Sequence, residues 1–150
     1  MTPELADRYL AGLIALAREE VDEAELLLRE VVAAEPRDAD ALSYLATAWI
    51  VQGRVEPARE AMALALTLGP ERFAPNIKAG ELDLRLGDLD AAVLHFKQAL
   101  RVAAHGSRDA AAARTLLGET RRRAGRSIVR RAVLPRWRWP RFRIGSSASD

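Results

Sequence analysis

The chain has 150 residues, 49% of them apolar and 29% charged, which is enough to bury one real core and too apolar for a disordered chain. It has no cysteine, so disulfides and cysteine-ligated metals are excluded, and a reducing, cytoplasmic location is compatible. The net charge of +2 hides a split: residues 1–120 carry 13 basic and 20 acidic side chains, whereas residues 121–150 carry ten arginines against Asp150 alone. Such asymmetry points to an acidic partner or to a tail held by its own body. No apolar run approaches the roughly 18 residues of a spanning helix. The first residues lack the basic stretch and apolar run of a signal peptide.

Thr2-Pro3-Glu4 reads as a helix start: a hydroxyl cap, a proline where its missing N–H costs nothing, and an acid near the positive end of the dipole. The first helix is predicted to run to about Arg18, with Leu5, Tyr9, Gly12, Leu13 and Leu16 at helical spacing. A turn at Glu19-Glu20 leads to a second helix from about Asp22 to Ala34, with Ala24, Leu27, Leu28 and Val31 on one face. Pro36 closes it, and Asp38 stands where it can cap the next helix. The third helix presents Leu42, Leu45, Ala46 and Trp49 and ends at Gly53. The fourth has Pro57 in its first turn, presents Ala58, Met62 and Ala65, and stops at Gly69-Pro70. The fifth starts at Phe73-Ala74-Pro75 and carries Ala79, Gly80 and Leu84. After a turn at Gly87-Asp88-Leu89-Asp90, the sixth carries Ala92, Phe96, Ala99 and Leu100. His105-Gly106-Ser107 breaks the pattern, and a seventh helix is predicted over 108–124. Beyond Gly125, residues 127–134 suit a short further helix, which Pro135 and Pro140 forbid from continuing, and 145–150 are small and polar.

These elements recur with a period of 34 residues. Gly12, Ala46 and Gly80 fall in register; so do Ala24, Ala58 and Ala92, then Leu28, Met62 and Phe96, then Val31, Ala65 and Ala99. Small residues at the first two sets let paired helices approach closely, and large ones at the third fill the space around them. A lone helical pair cannot bury its apolar face, so such units stack on their neighbours. The pattern resembles the tetratricopeptide repeat family. The middle unit carries the resemblance best through Leu42, Leu45, Ala46, Trp49, Gly53, Ala58, Met62, Ala65 and Pro70. The flanking units depart from it at Arg8, Ala15, Asp83 and Ala104. The resemblance implies an all-α solenoid of three helix-turn-helix units, about 5–38, 39–72 and 73–106, closed by a capping helix at 108–124. Residues 1–124 then form one repeat domain and 125–150 a basic tail.

Groups suited to catalysis are scarce. His95 and His105 lack a second histidine or cysteine at ligand spacing, so both read as solvated side chains. The run Glu19, Glu20, Asp22, Glu23, Glu25 reads as a solvated helix start. There is no glycine-rich phosphate loop, and neither a cofactor nor an enzymatic activity is expected. Binding is the better prospect. By the resemblance, the first helix of each unit lines a concave groove, here through Tyr9, Leu13, Leu16, Ser43, Thr47, Ile50, Ile77, Lys78, Glu81 and Leu84. The lining grows more charged toward Arg85, Glu119 and Arg122. Chaperone-binding members of the family clamp a C-terminal carboxylate with lysine, asparagine and arginine. The corresponding places here hold Tyr9, Leu13, Tyr44, Ala74 and Lys78, of which Lys78 alone fits. An apolar peptide or amphipathic partner helix suits the lining better, and the expected function is a scaffold for protein–protein interaction.

The tail mixes arginine with aromatic residues: Arg130, Arg131, Arg136, Trp137, Arg138, Trp139, Arg141, Phe142 and Arg143. That mixture suits a protein surface, an anionic membrane interface, or, with less support, single-stranded nucleic acid. A peripheral membrane adaptor attached through this tail is therefore the alternative to the groove-binding scaffold.

Overall fold

The structure is a computed structural model; it describes the backbone of residues 1–133 and the side chains of residues 1–126. Seven helices account for the described residues: α1 (Pro3–Ala17), α2 (Val21–Ala34), α3 (Ala39–Val51), α4 (Val55–Leu68), α5 (Phe73–Leu86), α6 (Leu89–Val102) and α7 (Arg108–Val133). The architecture is an all-α solenoid. The helices α1, α3 and α5 each pack antiparallel on their successors, α3 lies against α1 and α2, α5 lies against α3 and α4, and α7 covers α6. The last helix is longer than its sequence suggests. It passes through Gly125 without a break, because one glycine inside a helix costs only about 1 kcal/mol.

Side-chain caps start α1, α3, α6 and α7. Thr2 Oγ1 accepts from the Leu5 N–H at 3.3 Å, and Asp38 Oδ1 accepts from Asp40 and Ala41 at 3.0 Å each. Asp88 Oδ1 accepts from Ala91 at 3.0 Å, and Ser107 Oγ accepts from Ala110 at 3.1 Å. Each satisfies a first-turn N–H that has no partner inside its helix. Between the two helices of each unit, the chain passes through one left-handed residue. Gly53 and Gly87 do this at φ of 79° and 80°, and Glu19 takes the same place in the first unit at φ of 63°. A β-carbon in that conformation costs on the order of 1 kcal/mol, so the first turn is the strained one.

The core follows the small-and-large register. Ala24, Ala46, Ala58, Ala92, Leu28 and Phe96 have no exposed surface. A β-carbon built on Gly80 would lie 2.6 Å from Phe96 Cδ1, and one on Gly12 would lie 2.9 Å from Leu28 Cγ. These contacts bring the two helices of a unit together. Ala46, Ala58, Ala61 and Met62 of the second unit pack with Ala79 and Leu82 of the third, which joins one unit to the next. Ala113 and Leu117 of α7 complete the last cluster around Phe96 and Ile77.

Candidate functional site

The inner, odd-numbered helices leave a groove of about 770 Å³ on one side of the solenoid. One wall is apolar: Leu13, Leu16 and Ala17 from α1, and Val21 from the start of α2. Tyr44, Thr47 and Val51 of α3 form the floor. Lys78 and Arg85 of α5 form the opposite wall, and Glu19 stands at the rim. Lys78 Nζ lies 2.8 Å from Glu81 Oε2 and 5.5 Å from the centre of the Tyr44 ring. It is therefore a positioned cation with an anionic partner and an aromatic face beneath it.

A second hollow of about 460 Å³ adjoins this floor, lined by Tyr9, Asp40, Tyr44, Glu71, Arg72, Phe73, Ala74 and Asp109. Tyr9 and Tyr44 meet edge to face, with ring centres 6.1 Å apart. Burial pushes both phenols above their ordinary value. For Tyr9 the neighbouring Tyr44 and Asp40 push the same way, and for Tyr44 the nearby Asp40 does. Both rings are therefore neutral hydroxyl donors rather than phenolates. Arg72 Nε donates to Asp40 Oδ1 at 2.9 Å, a second Arg72 nitrogen bonds Asp40 Oδ2, and this bonding raises the arginine above its ordinary value.

Of the groove residues expected from the sequence, Leu13, Leu16, Thr47 and Lys78 line the main groove, Tyr9 lines the adjoining hollow, and Glu81 reaches the site through Lys78. Ser43 and Ile77 do not line it. Ser43 has no exposed surface, because its hydroxyl donates back to the Asp40 carbonyl at 2.7 Å and so tolerates burial inside the helix. Ile77 is 5% exposed and packs with Phe96 and Leu117. Ile50 and Leu84 pack against the clusters that join successive units, which makes them core rather than lining. The reason is rotational. A helix wedged between two neighbours shows the groove only a narrow strip, and a shift of one residue turns a side chain by about 100°.

Two polar clusters depart from their sequence readings. Glu25 is not a free member of a solvated acidic run. Its carboxylate accepts from Trp49 Nε1, from Gln52 Nε2 and from Arg54, at 2.9, 2.9 and 2.8 Å, and so ties α2 to the second unit. Gln52 also donates to Asp22 at 2.9 Å. The Trp49 indole N–H first, then the Gln52 amide, with Arg54 adding, lower Glu25 from an ordinary 4.5 to about 2. The stability from this depressed carboxyl is fully present above pH 4.5 and is lost as pH falls toward 2. Glu25→Gln is therefore expected to cost about 1–2 kcal/mol at neutral pH and almost nothing near the acid end of that window. Urea unfolding of both proteins at neutral pH and near pH 2.5 checks this. His95 is likewise not simply solvated: its Nδ1 lies 2.7 Å from Asp83 Oδ2. Asp83 stands where the second unit has Trp49, so the departure in the repeat pattern is matched by a polar partner from the neighbouring helix.

Asn76 carries no repeat signal, yet it is 2% exposed and donates to the Pro70 and Arg72 carbonyls at 2.9 and 2.7 Å, which holds the α4–α5 connection. Among the described residues, no three His, Cys, Asp or Glu side chains gather as metal ligands, and no helix is long and apolar enough to cross a membrane. Of the tail residues, Arg130 and Arg131 lie on the α7 backbone with side chains outside the described set. Arg136, Trp137, Arg138, Trp139, Arg141, Phe142 and Arg143 lie wholly outside the described residues.

Paired helices in a 34-residue register, small residues at each crossing, and a groove left open along the inner helices define a helical-repeat solenoid. The tetratricopeptide repeat profile matches residues 9–73 and 77–127. The chain belongs to the tetratricopeptide repeat family. Among curated proteins no sequence matches it. Among solved structures, the tetratricopeptide domain of Sgt2 from Aspergillus fumigatus is similar, with 23% identity, TM-score 0.73, and 97% of this chain and 94% of that one covered. So is the first such domain of Spaghetti bound to an HSP90 peptide, with 16% identity, TM-score 0.64, and 81% and 93% covered. PcrH in complex with the chaperone-binding region of PopD has 21% identity and TM-score 0.65, with 83% and 96% covered.

Proposed function

We propose that this chain is a non-enzymatic protein-interaction module whose groove receives an apolar peptide or an amphipathic helix of a partner protein. The observation that carries the reading is the uncovered apolar wall of Leu13, Leu16, Ala17 and Val21, facing Val51 across a groove of about 770 Å³. A groove of this size holds several side chains of a peptide, and apolar anchors supply most of the affinity in this mode of recognition. Similar folds whose structures contain an HSP90 peptide or the PopD chaperone-binding region support a peptide-binding use of the scaffold. The carboxylate clamp is a poor fit for this lining. Ala74 contributes no donor, the Tyr9 and Tyr44 rings occupy two of its places, and Lys78 is already engaged by Glu81. Membrane and nucleic-acid partners rest on tail residues, and no groove feature favours them.

Selection from a displayed library of random peptides, with the full chain as bait, tests the reading. Enriched peptides are expected to carry apolar residues at helical or alternating spacing. Leu13→Asp and Leu16→Asp, at half-buried positions and checked for an intact fold by circular dichroism, are expected to weaken binding of a selected peptide by at least about tenfold each, since each apolar anchor contributes on the order of 1.5 kcal/mol. An absence of enrichment, or binding that ignores both substitutions in titration calorimetry, would overturn it.

A further inference from the structure

Among the described residues, the outer face of α1 departs from the repeat register, exposing positions that the later units bury. Ile14 aligns with Ala48 and Leu82, which are 0% and 6% exposed; Ile14 is 51% exposed. Asp7 aligns with Ala41 and Pro75, both buried, and is itself exposed. Leu10, one turn before Ile14, is 55% exposed. In the second and third units this face packs on the preceding helical pair: Ala41 sits against Leu5 and Val31, and Leu82 against Ala58 and Met62. On α1 the same face presents two large apolar side chains with no helix over them in the described structure.

The charges along this face suit one occupant. Asp7 precedes the apolar pair and Arg18, at the C-cap of α1, follows it; both are exposed. They lie three turns apart, roughly 16 Å along the axis. If a second α1 is laid antiparallel about a two-fold axis through the middle of this stripe, Asp7 faces Arg18 of the other copy at each end. Leu10 then faces Ile14 twice in between. The stripe is therefore complementary to itself. Over the described part of α7, the outer side exposes Arg114, Thr115, Arg121 and Arg122, which would lose water against Leu10 and Ile14 in head-to-tail stacking. We infer that the outer face of α1 is a self-association surface through which two copies of this chain pair as an antiparallel α1–α1 dimer. Closed two-fold pairing follows from self-complementarity. One helix pair with two apolar residues per copy makes a small interface, so the expected dissociation constant is on the order of 10 µM. Leu10 adjoins the groove wall, sharing its strip of helix with Ala17, but Ile14 does not line the groove, so substitutions at Ile14 read self-association rather than peptide binding.

Sedimentation equilibrium of the full chain, up to about 200 µM, tests the inference. A monomer–dimer equilibrium is expected for the unaltered chain. Ile14→Glu should weaken it by more than tenfold while leaving the circular-dichroism melt unchanged, because the side chain is exposed. Asp7→Arg alone and Arg18→Asp alone should each weaken self-association, since each places like charges opposite one another. An equimolar mixture of these two variants should recover dimers, because both end pairs are then opposite in sign. A chain that stays monomeric at the highest concentration overturns the inference, as does a dimer indifferent to Ile14→Glu or a mixture that fails to recover. A dimer lost instead on Trp137→Ala with Trp139→Ala would assign the contact to the tail and overturn it equally.

Discussion

Phe96→Ala is expected to cost about 3–5 kcal/mol and to lower the melting temperature by roughly 10 °C or more. Phe96 has no exposed surface and sits at the junction of α5, α6 and α7, in one cluster with Ile77, Ala113 and Leu117. Its removal leaves a cavity that three helices would have to collapse into, and the backbone of α5 is already close at Gly80. That closeness gives the sharper test. A β-carbon on Gly80 would collide with the Phe96 ring, lying 2.6 Å from Cδ1 and nearer still to Cε1, so Gly80→Ala should destabilise the unaltered chain by about 1–3 kcal/mol. In a Phe96→Ala background the ring is gone, and the same substitution should stabilise by up to about 1 kcal/mol, through helix propensity alone. Urea unfolding of the four proteins measures this change of sign. Equal effects of Gly80→Ala in both backgrounds would mean that the ring does not set the spacing of the helices.

The second large effect is expected in the middle unit, which has a neighbour on each side. Leu45 is 2% exposed, and Leu45→Ala should cost about 2–5 kcal/mol. Ala58 has no exposed surface and packs with Ala46, Met62 and Ala79, so Ala58→Leu should cost about 1–3 kcal/mol by overpacking. In a solenoid each unit is stabilised through its neighbours, so loss of the middle unit should uncouple the ends. The unfolding transition of these two variants should therefore broaden as well as shift. A melting temperature unchanged in either variant would contradict the packing at that position.

The helices and their order were legible because each depends on local signals. Caps at Thr2 and Asp38, prolines in first turns, and apolar residues at helical spacing act within a few residues of themselves. The end of α7 was less so. Gly125 reads as a stop, but no left-handed turn like that at Gly87 follows it, and α7 continues to Val133. The turn at Glu19-Glu20 was legible, but not that Glu19 takes the left-handed place that glycine fills in the other two units.

The candidate site was legible in outline and not in detail. Leu13, Leu16, Thr47 and Lys78 reach the groove as the repeat register implies, whereas Ser43 and Ile77 turn into the core. Register tells which helix faces inward; it does not tell which side of that helix a neighbour will cover. The polar joints were invisible for a related reason. Glu25 meets Trp49 across 24 positions of chain, and Asp83 meets His95 across 12, and neither residue type announces a distant partner.

What the sequence determined by itself is the repeat: its 34-residue spacing, the small residues where helices cross, the large ones beside them, and the split in charge between body and tail. These are set by propensity and by the period of an α-helix, which act locally and repeat with the sequence. The tertiary structure alone decided which side chains line the groove, which acids serve as joints between units, and that no described helix covers the outer face of α1. Those outcomes depend on how one helical pair rotates against the next, and stacking resolves that rotation only when all the units are in place.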